Sequence, residues 1–221
     1  MADSNEFYTS AQRGVQDAIG TRQLADALQA AIVVDRLDDA HRAFIESRDF
    51  FFLSTVSAAS EPTVSHKGGG VGTVRVLDDK RLMFPAYDGN GMFLSLGNIV
   101  DSAKIGLLFI DFETPNRLRV QATAQLSQAP ELLNEYPGAL RVVVATIDSV
   151  FVNCARYIHH YERVKTSRHV PEADGSQPYA TWKRIDQLQP FLPDADQGKA
   201  TGHGGTLTEA EYAERLARGE S

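Results

Sequence analysis

Residues 65–72 read SHKGGGVG, and residues 87–93 read YDGNGMF. The first segment offers Ser65, His66 and Lys67 as hydrogen-bond donors, and Gly68, Gly69 and Gly70 let a backbone come close to another group. Backbone N–H groups in such segments can cradle an anion. Lys67 and Arg75 are the cations suited to a phosphate, because a charged donor makes a short, strong bond to a phosphate oxygen. In the second segment Asn90 and Met92 precede Ser95 and Asn98, where a helix can begin and its N-terminus can attract negative charge. Residues 117–121, RLRVQ, place Arg117, Arg119 and Gln121 on one alternating set of a strand. Which set faces inward is open at this stage. Taken singly, a glycine triplet is also a bulge, DGNG is a hairpin turn, and the two arginines are solvated strand residues. Their order within one segment is what points to an anion site.

Other chemistry finds little support. Six histidines are present: His41, His66, His159, His160, His169 and His203. None stands in HExxH, and no Gly-x-Ser-x-Gly occurs. Adjacent His159 and His160 would point apart on a helix, so a surface or structural role is expected. Cys154 is the sole cysteine, which excludes an intrachain disulfide and a cysteine metal cluster. No GxGxxG follows a strand and opens a helix, so a dinucleotide fold is not expected. The net charge of −7 argues against general nucleic-acid binding. The longest apolar runs, such as IGLLFI, are far too short to cross a bilayer. Residues 1–14 lack a basic stretch followed by an apolar one, so the cytoplasm is the expected compartment.

These side chains need a scaffold. Residues 1–48 are expected to be helical and to pack on a barrel. Leu24, Ala27, Leu28, Ala31, Ile32 and Leu37 recur at helical spacing after Thr21 as N-cap, and a second helix starts near Asp38 and presents Ala43, Phe44 and Ile45. Residues 49–165 then turn to β patterning. The runs FFFLSTV, PTVSH, TVRVLDD, RLMFPAY, KIGLLFIDF, RLRVQATAQLS and LRVVVATIDSVFVN are bounded by turn residues, with a short helix over MFLSLGNIVDS. Short strands in this number predict a small antiparallel barrel. The last run is apolar at both parities, so it is expected to be buried on two faces, one in the barrel and the other under either the N-terminal helices or a partner chain. Residues 166–221 form a C-terminal loop with short helices: TWKRIDQLQPFLP stopped by Pro190, a mobile GKATGHGGTL, and LTEAEYAERLARG with a Thr208–Glu211 capping box.

The ordered segments FFLSTV, SHKGGG, YDGNGMF, SLGNI, GLLFIDF and CARYIH resemble one branch of the pyridoxamine-phosphate-oxidase-like family of flavin-binding split barrels, best over residues 44–127. The resemblance implies a mainly β fold with flanking helices, a six-stranded antiparallel split β-barrel. It implies FMN as cofactor, an oxidoreductase with a small-molecule redox substrate, and a homodimer with the flavin at its interface. Relatives place basic side chains of the second and third strands on the FMN phosphate, which matches Lys67 and Arg75. Their Ser-Arg-Lys phosphate segment corresponds to Asn90-Gly91-Met92, two cations fewer. The polar residue that meets the flavin edge aligns with Arg117. The expected cofactor set is His66, Lys67, Gly68, Arg75, Asn90, Met92, Ser95, Asn98, Arg117 and Arg119. No side chain is assigned as acid or base, since the cofactor carries the electron transfer. Pyridoxamine-phosphate oxidases bind substrate through a Trp and an Arg of a compact C-terminal segment. Trp182-Lys183-Arg184 is not in that arrangement, so vitamin B6 synthesis is not expected, and Trp182 reads as a packing anchor or a lid over the flavin. The alternatives are a deazaflavin or haem in the same barrel, or a flavin-binding sensor with little turnover.

Overall fold

The structure is a computed structural model that describes residues 7–220. The chain forms two compact units that divide between residues 165 and 166. In the first unit, three helices precede the sheet: α1 (Ser10–Ile19), α2 (Arg22–Ile32) and α3 (Asp39–Glu46). The strands are β1 (Phe50–Val56), β2 (Pro62–Gly68), β3 (Arg75–Val76), β4 (Arg81–Ala86), β5 (Lys104–Asp111), β6 (Asn116–Ser127) and β7 (Arg141–Val152). Helix α4 (Leu94–Ser102) lies between β4 and β5, and the single turn α5 (Pro130–Leu133) between β6 and β7.

All seven strands join one antiparallel sheet in the order β2-β1-β5-β6-β7-β4-β3. This is the expected split barrel with seven strands rather than six. The extra one is the two-residue β3, all that pairs of the run TVRVLDD. An edge this short offers little to pair with, and α3 ties off its backbone. Glu46 accepts from the Val76 N–H at 3.0 Å, and Arg42 donates to the Val76 carbonyl at 2.7 Å. Alternation along the strands sends Phe51, Leu53, Leu82, Phe84, Phe109, Val120 and Val143 into one core. Ile45 of α3 closes it, fully buried, while Phe44 is half-buried and Ala43 is exposed.

Two expectations about packing change. Leu24 and Leu28 are 59% and 46% exposed, so the apolar stripe of α2 does not bury against the barrel. Instead α1 and α2 hold each other through polar ties, Arg13 to Asp26 and Arg22 to Asp17, with the Tyr8 hydroxyl donating to the Ala25 carbonyl. One end of the second face of β7 is covered from within the chain, while Thr146 and Asp148 further along it are exposed. Val142 packs with Met83 and Tyr136, flanked by Leu132, Leu133 and Ala139 of the α5 segment.

The second unit is built from short pieces. Residues 181–193 do not form one α-helix. They form two 3₁₀ turns, Thr181–Arg184 and Asp186–Phe191, with Pro190 inside the second, where its missing N–H is tolerated in so short a piece. The glycine-dense stretch is anchored rather than bare: it holds α6 (Lys199–Gly202) with Ala200 buried, and Leu207 bridges to Ile185. Helix α7 (Glu209–Ala217) carries the expected Thr208–Glu211 capping box.

Replacing Ile45 by alanine removes the side chain that seats α3 on the core. A loss of about 2–5 kcal/mol is expected, as for large-to-small core changes. Urea unfolding should show it as a lower midpoint; an unchanged midpoint would mean that α3 does not hold the β3 edge.

Candidate functional site

A cavity of about 420 Å³ opens where the β2 edge, the end of β4 and the start of α4 meet. Ser65 and Lys67 of β2 line it together with Leu53 of β1, because Ser65 pairs with Leu53 and Lys67 with Phe51, and cross-strand partners share a face. The opposite wall is residues 87–93 and the first turn of α4, Leu94 to Leu96. Phe93, the residue before that turn, has φ +49° and gives no side-chain cap. The first N–H groups of α4 therefore have no side-chain acceptor, which is the condition under which a helix end attracts an anion.

Lys67 is half-buried and makes no ion pair or hydrogen bond among the described residues. Burial lowers its pKa from the usual lysine value, since little compensates the charged form. Burial raises the Tyr87 phenol on the opposite wall, with the charge of Arg75 working against it. One unpaired ammonium lining the same cavity as an uncapped helix N-terminus suits a single anion.

A polar network fixes α4 in this position. The Asn98 amide donates to Thr55 Oγ1 at 3.0 Å and Thr63 Oγ1 at 3.2 Å, and the two hydroxyls lie 2.8 Å apart. Ser65 and Ser95 hydroxyls meet at 3.0 Å, and Ser102 donates to the Val56 carbonyl at 2.9 Å. Met92 N–H is taken by Asn90 Oδ1 at 3.1 Å, which shapes the loop before the helix.

The family model described as pyridoxamine 5'-phosphate oxidase matches residues 37–175, more than half of the chain. The chain belongs to that family. No curated protein matches it. Solved structures resemble it more distantly. HupZ from Group A Streptococcus is 18% identical, over 57% of this chain and 99% of that one, with a TM-score of 0.45. An FMN-binding protein from Syntrophomonas wolfei is 12% identical, over 64% and 98%, with a TM-score of 0.42. HutZ, the haem storage protein from Vibrio cholerae, is 17% identical, over 53% and 94%, with a TM-score of 0.38. None of the three is close enough to carry a ligand over to this member.

In this family member the residues singled out from sequence fall into three groups. Lys67, Gly68, Asn90, Met92 and Ser95 come together at the cavity, and His66 reaches its rim. His66 lies on the other face of β2 from Lys67, stacked on Phe50 at 5.4 Å, because neighbouring residues of a strand point apart. Asn98 is close by but is spent on Thr55 and Thr63, so it positions the helix and does not face the cavity. Arg75 is not brought in: its guanidinium pairs with Glu135 and lies over the Tyr136 ring.

Arg117 and Arg119 sit on the outer sheet face. There the register runs His66, Phe52, Leu108, Arg119, Phe151 across five strands. This face is apolar and half-exposed at Phe50, Phe52, Leu108 and Ile110. At its end Arg117 Nε and Asn153 Oδ1 are buried without a hydrogen-bond partner among the described residues, one an orphaned donor and the other an orphaned acceptor. Sequence reasoning passed over Leu53, Tyr87 and Asn153. Only the register and the α4 loop bring the first two to the cavity. Among the described residues no group of three His, Cys, Asp or Glu is placed to hold a metal, and no helix is long and apolar enough to cross a membrane.

The buried ammonium gives a signed prediction. A lysine whose folded pKa is depressed destabilises the fold while protonated, and that penalty is relieved as pH rises through the folded pKa toward the unfolded value of 10.5. Lys67→Met should therefore be more stable than the ligand-free parent at pH 7, with the gap narrowing as pH approaches 10.5. Melting temperatures across pH test this; a variant less stable at neutral pH would show that Lys67 has a partner in the ligand-free fold.

Proposed function

We propose that this chain is an FMN-dependent oxidoreductase that works as a homodimer on a small-molecule redox substrate, and is not a pyridoxamine-phosphate oxidase. The observation that carries the reading is the unpaired, half-buried Lys67 opposite the uncapped N-terminus of α4. That pair suits one terminal phosphate and leaves no need for the arginine and lysine that relatives use. FMN fits the residues present in kind. Lys67, Ser65, Ser95 and the α4 amides would hold the phosphate. The orphaned Arg117 Nε and Asn153 Oδ1 would serve the flavin's pyrimidine edge, which offers both carbonyl acceptors and an N–H donor.

FMN, when bound, supplies hydride or electron transfer. The chain's own work is binding, orientation and exclusion of water. Phe50, Phe52 and Leu108 offer an apolar wall to a planar ring. They also leave a monomer with a half-exposed aromatic sheet face, and α2 adds Leu24 and Leu28 as further uncovered apolar surface. A second copy packed on the outer face would cover it and close the flavin between two barrels, as the family resemblance implies.

Calorimetry with FMN and FAD should show tighter binding of FMN. Lys67→Ala should weaken it about tenfold to a hundredfold, the worth of one charge-assisted phosphate bond. Arg75→Ala should weaken it less, since Glu135 already holds that guanidinium. Tighter FAD binding, or an unchanged affinity in Lys67→Ala, would remove the phosphate seat; mass analysis of a released chromophore would expose a deazaflavin or a haem.

The dimer has its own test. Sedimentation equilibrium on flavin-loaded protein should give twice the chain mass. A strict monomer at micromolar concentration that still holds FMN tightly would overturn an interface site.

A further inference from the structure

The second unit holds a cavity of about 480 Å³ that the flavin reading does not use. Three arginines line it, Arg168, Arg184 and Arg215, beside Tyr179 and His203, whose rings stack at 4.7 Å and 17°. Glu220 is the one carboxylate residue on the wall among the described residues, and it is bonded to Arg218 at 3.1 Å. Three guanidiniums around one space repel each other unless an anion joins them. In a chain of net charge −7, such a gathering is a local reversal of sign.

Each guanidinium keeps donors free. Arg184 gives Nε to the Gly205 carbonyl at 2.8 Å and Nη2 to the Gly204 carbonyl at 2.9 Å, which leaves Nη1. Both glycines have left-handed φ, +93° and +82°, and a Cβ at Gly204 would come within 3.3 Å of Arg184 Nη2. The loop is thus shaped around this guanidinium and holds its plane. Arg168 uses Nη2 on the buried Thr181 hydroxyl at 3.3 Å. Arg215 on α7 has no hydrogen bond or ion pair among the described residues. Glu211, one turn earlier, senses Arg215 and Arg184, but its carboxylate accepts from the Thr208 N–H at 2.7 Å and hydroxyl at 2.9 Å.

We propose that this cavity binds a phosphate monoester of a small molecule, gripped by Arg168, Arg184 and Arg215. A tetrahedral dianion accepts from several guanidinium forks at once, which a single carboxylate cannot match. The Tyr179–His203 stack provides a ring face for the esterified group. The proposal is independent of the flavin site.

Phenyl phosphate is the probe, titrated by calorimetry into the full chain carrying one equivalent of FMN, with excess FMN removed, and into Lys67→Ala without FMN. One-site binding is expected in both. Arg215→Glu alters a side chain that makes no hydrogen bond or ion pair among the described residues, so its fold should be unchanged by circular dichroism and melting. It should weaken binding at least about tenfold, and Arg168→Gln with Arg215→Gln about a hundredfold, one decade for each lost charged contact. Absence of binding at millimolar phenyl phosphate, or unchanged affinity in Arg215→Glu, overturns the proposal. Loss of binding in Lys67→Ala with retention in the arginine variants would assign the phosphate to the β2–α4 cavity, and overturns it too.

Discussion

Thr55, Thr63 and Asn98 form a closed set of hydrogen bonds under α4, and the candidate site depends on it. Thr55 and Asn98 are buried, at 1% and 8% exposure, so each polar group left unpaired would cost on the order of 1–3 kcal/mol. The three side chains come from three elements, β1, β2 and α4. Meeting their hydrogen-bond needs fixes the helix to the strand pair in rotation and in height. Ser65–Ser95 repeats the connection one turn nearer the cavity. The amides of α4 are thereby aimed at the same β2 face from which Lys67 projects.

That geometry explains why adjacent residues have different duties. Strand β2 is an edge, so its inner face looks partly into the cavity and its outer face joins the aromatic surface of β1 and β5. Lys67 takes the first and His66 the second. Phe50 stacks on both His66 and Phe112, and Phe112 meets Tyr161 edge-on, so the outer face continues as a column of rings. Gly69 makes the end of β2 possible: a Cβ there would lie 2.3 Å from Thr73 Oγ1. The glycine run therefore serves the crossing of the chain at least as much as any ligand.

Much of this was legible beforehand, for physical reasons. Strand alternation in FFFLSTV and RLRVQATAQLS, turn residues between runs, and the capping box at Thr208 are local signals, and they became β1, β6 and α7. The donors of SHKGGG and YDGNGMF did converge on one cavity. What was not legible depends on long-range pairing. The partner of Arg75 is Glu135, sixty residues away, and nothing near Arg75 announces it. Asn98 looked like a ligand because polar residues at helix starts often are, yet its partners are two threonines on other strands. Leu24 and Leu28 show helical amphipathicity, which says that a face wants cover but does not say what covers it.

The loss of two phosphate cations relative to the family pattern looks severe if charge is counted along the sequence. In the fold, strength depends on dielectric as well as number. An exposed lysine is screened by water, whereas Lys67 is partly desolvated and pairs with no carboxylate among the described residues. The helix amides opposite carry no desolvation cost comparable to a charge, and they point at the cavity before anything binds. A protein that keeps one ammonium in such a place accepts a less stable ligand-free fold. Removing the neighbouring cation by tying Arg75 to Glu135 also spares Lys67 the repulsion of a second positive charge in the cavity. On the proposed FMN reading, one cation and a helix end would hold the phosphate, provided that the buried Thr55–Asn98–Thr63 contacts hold that helix in place.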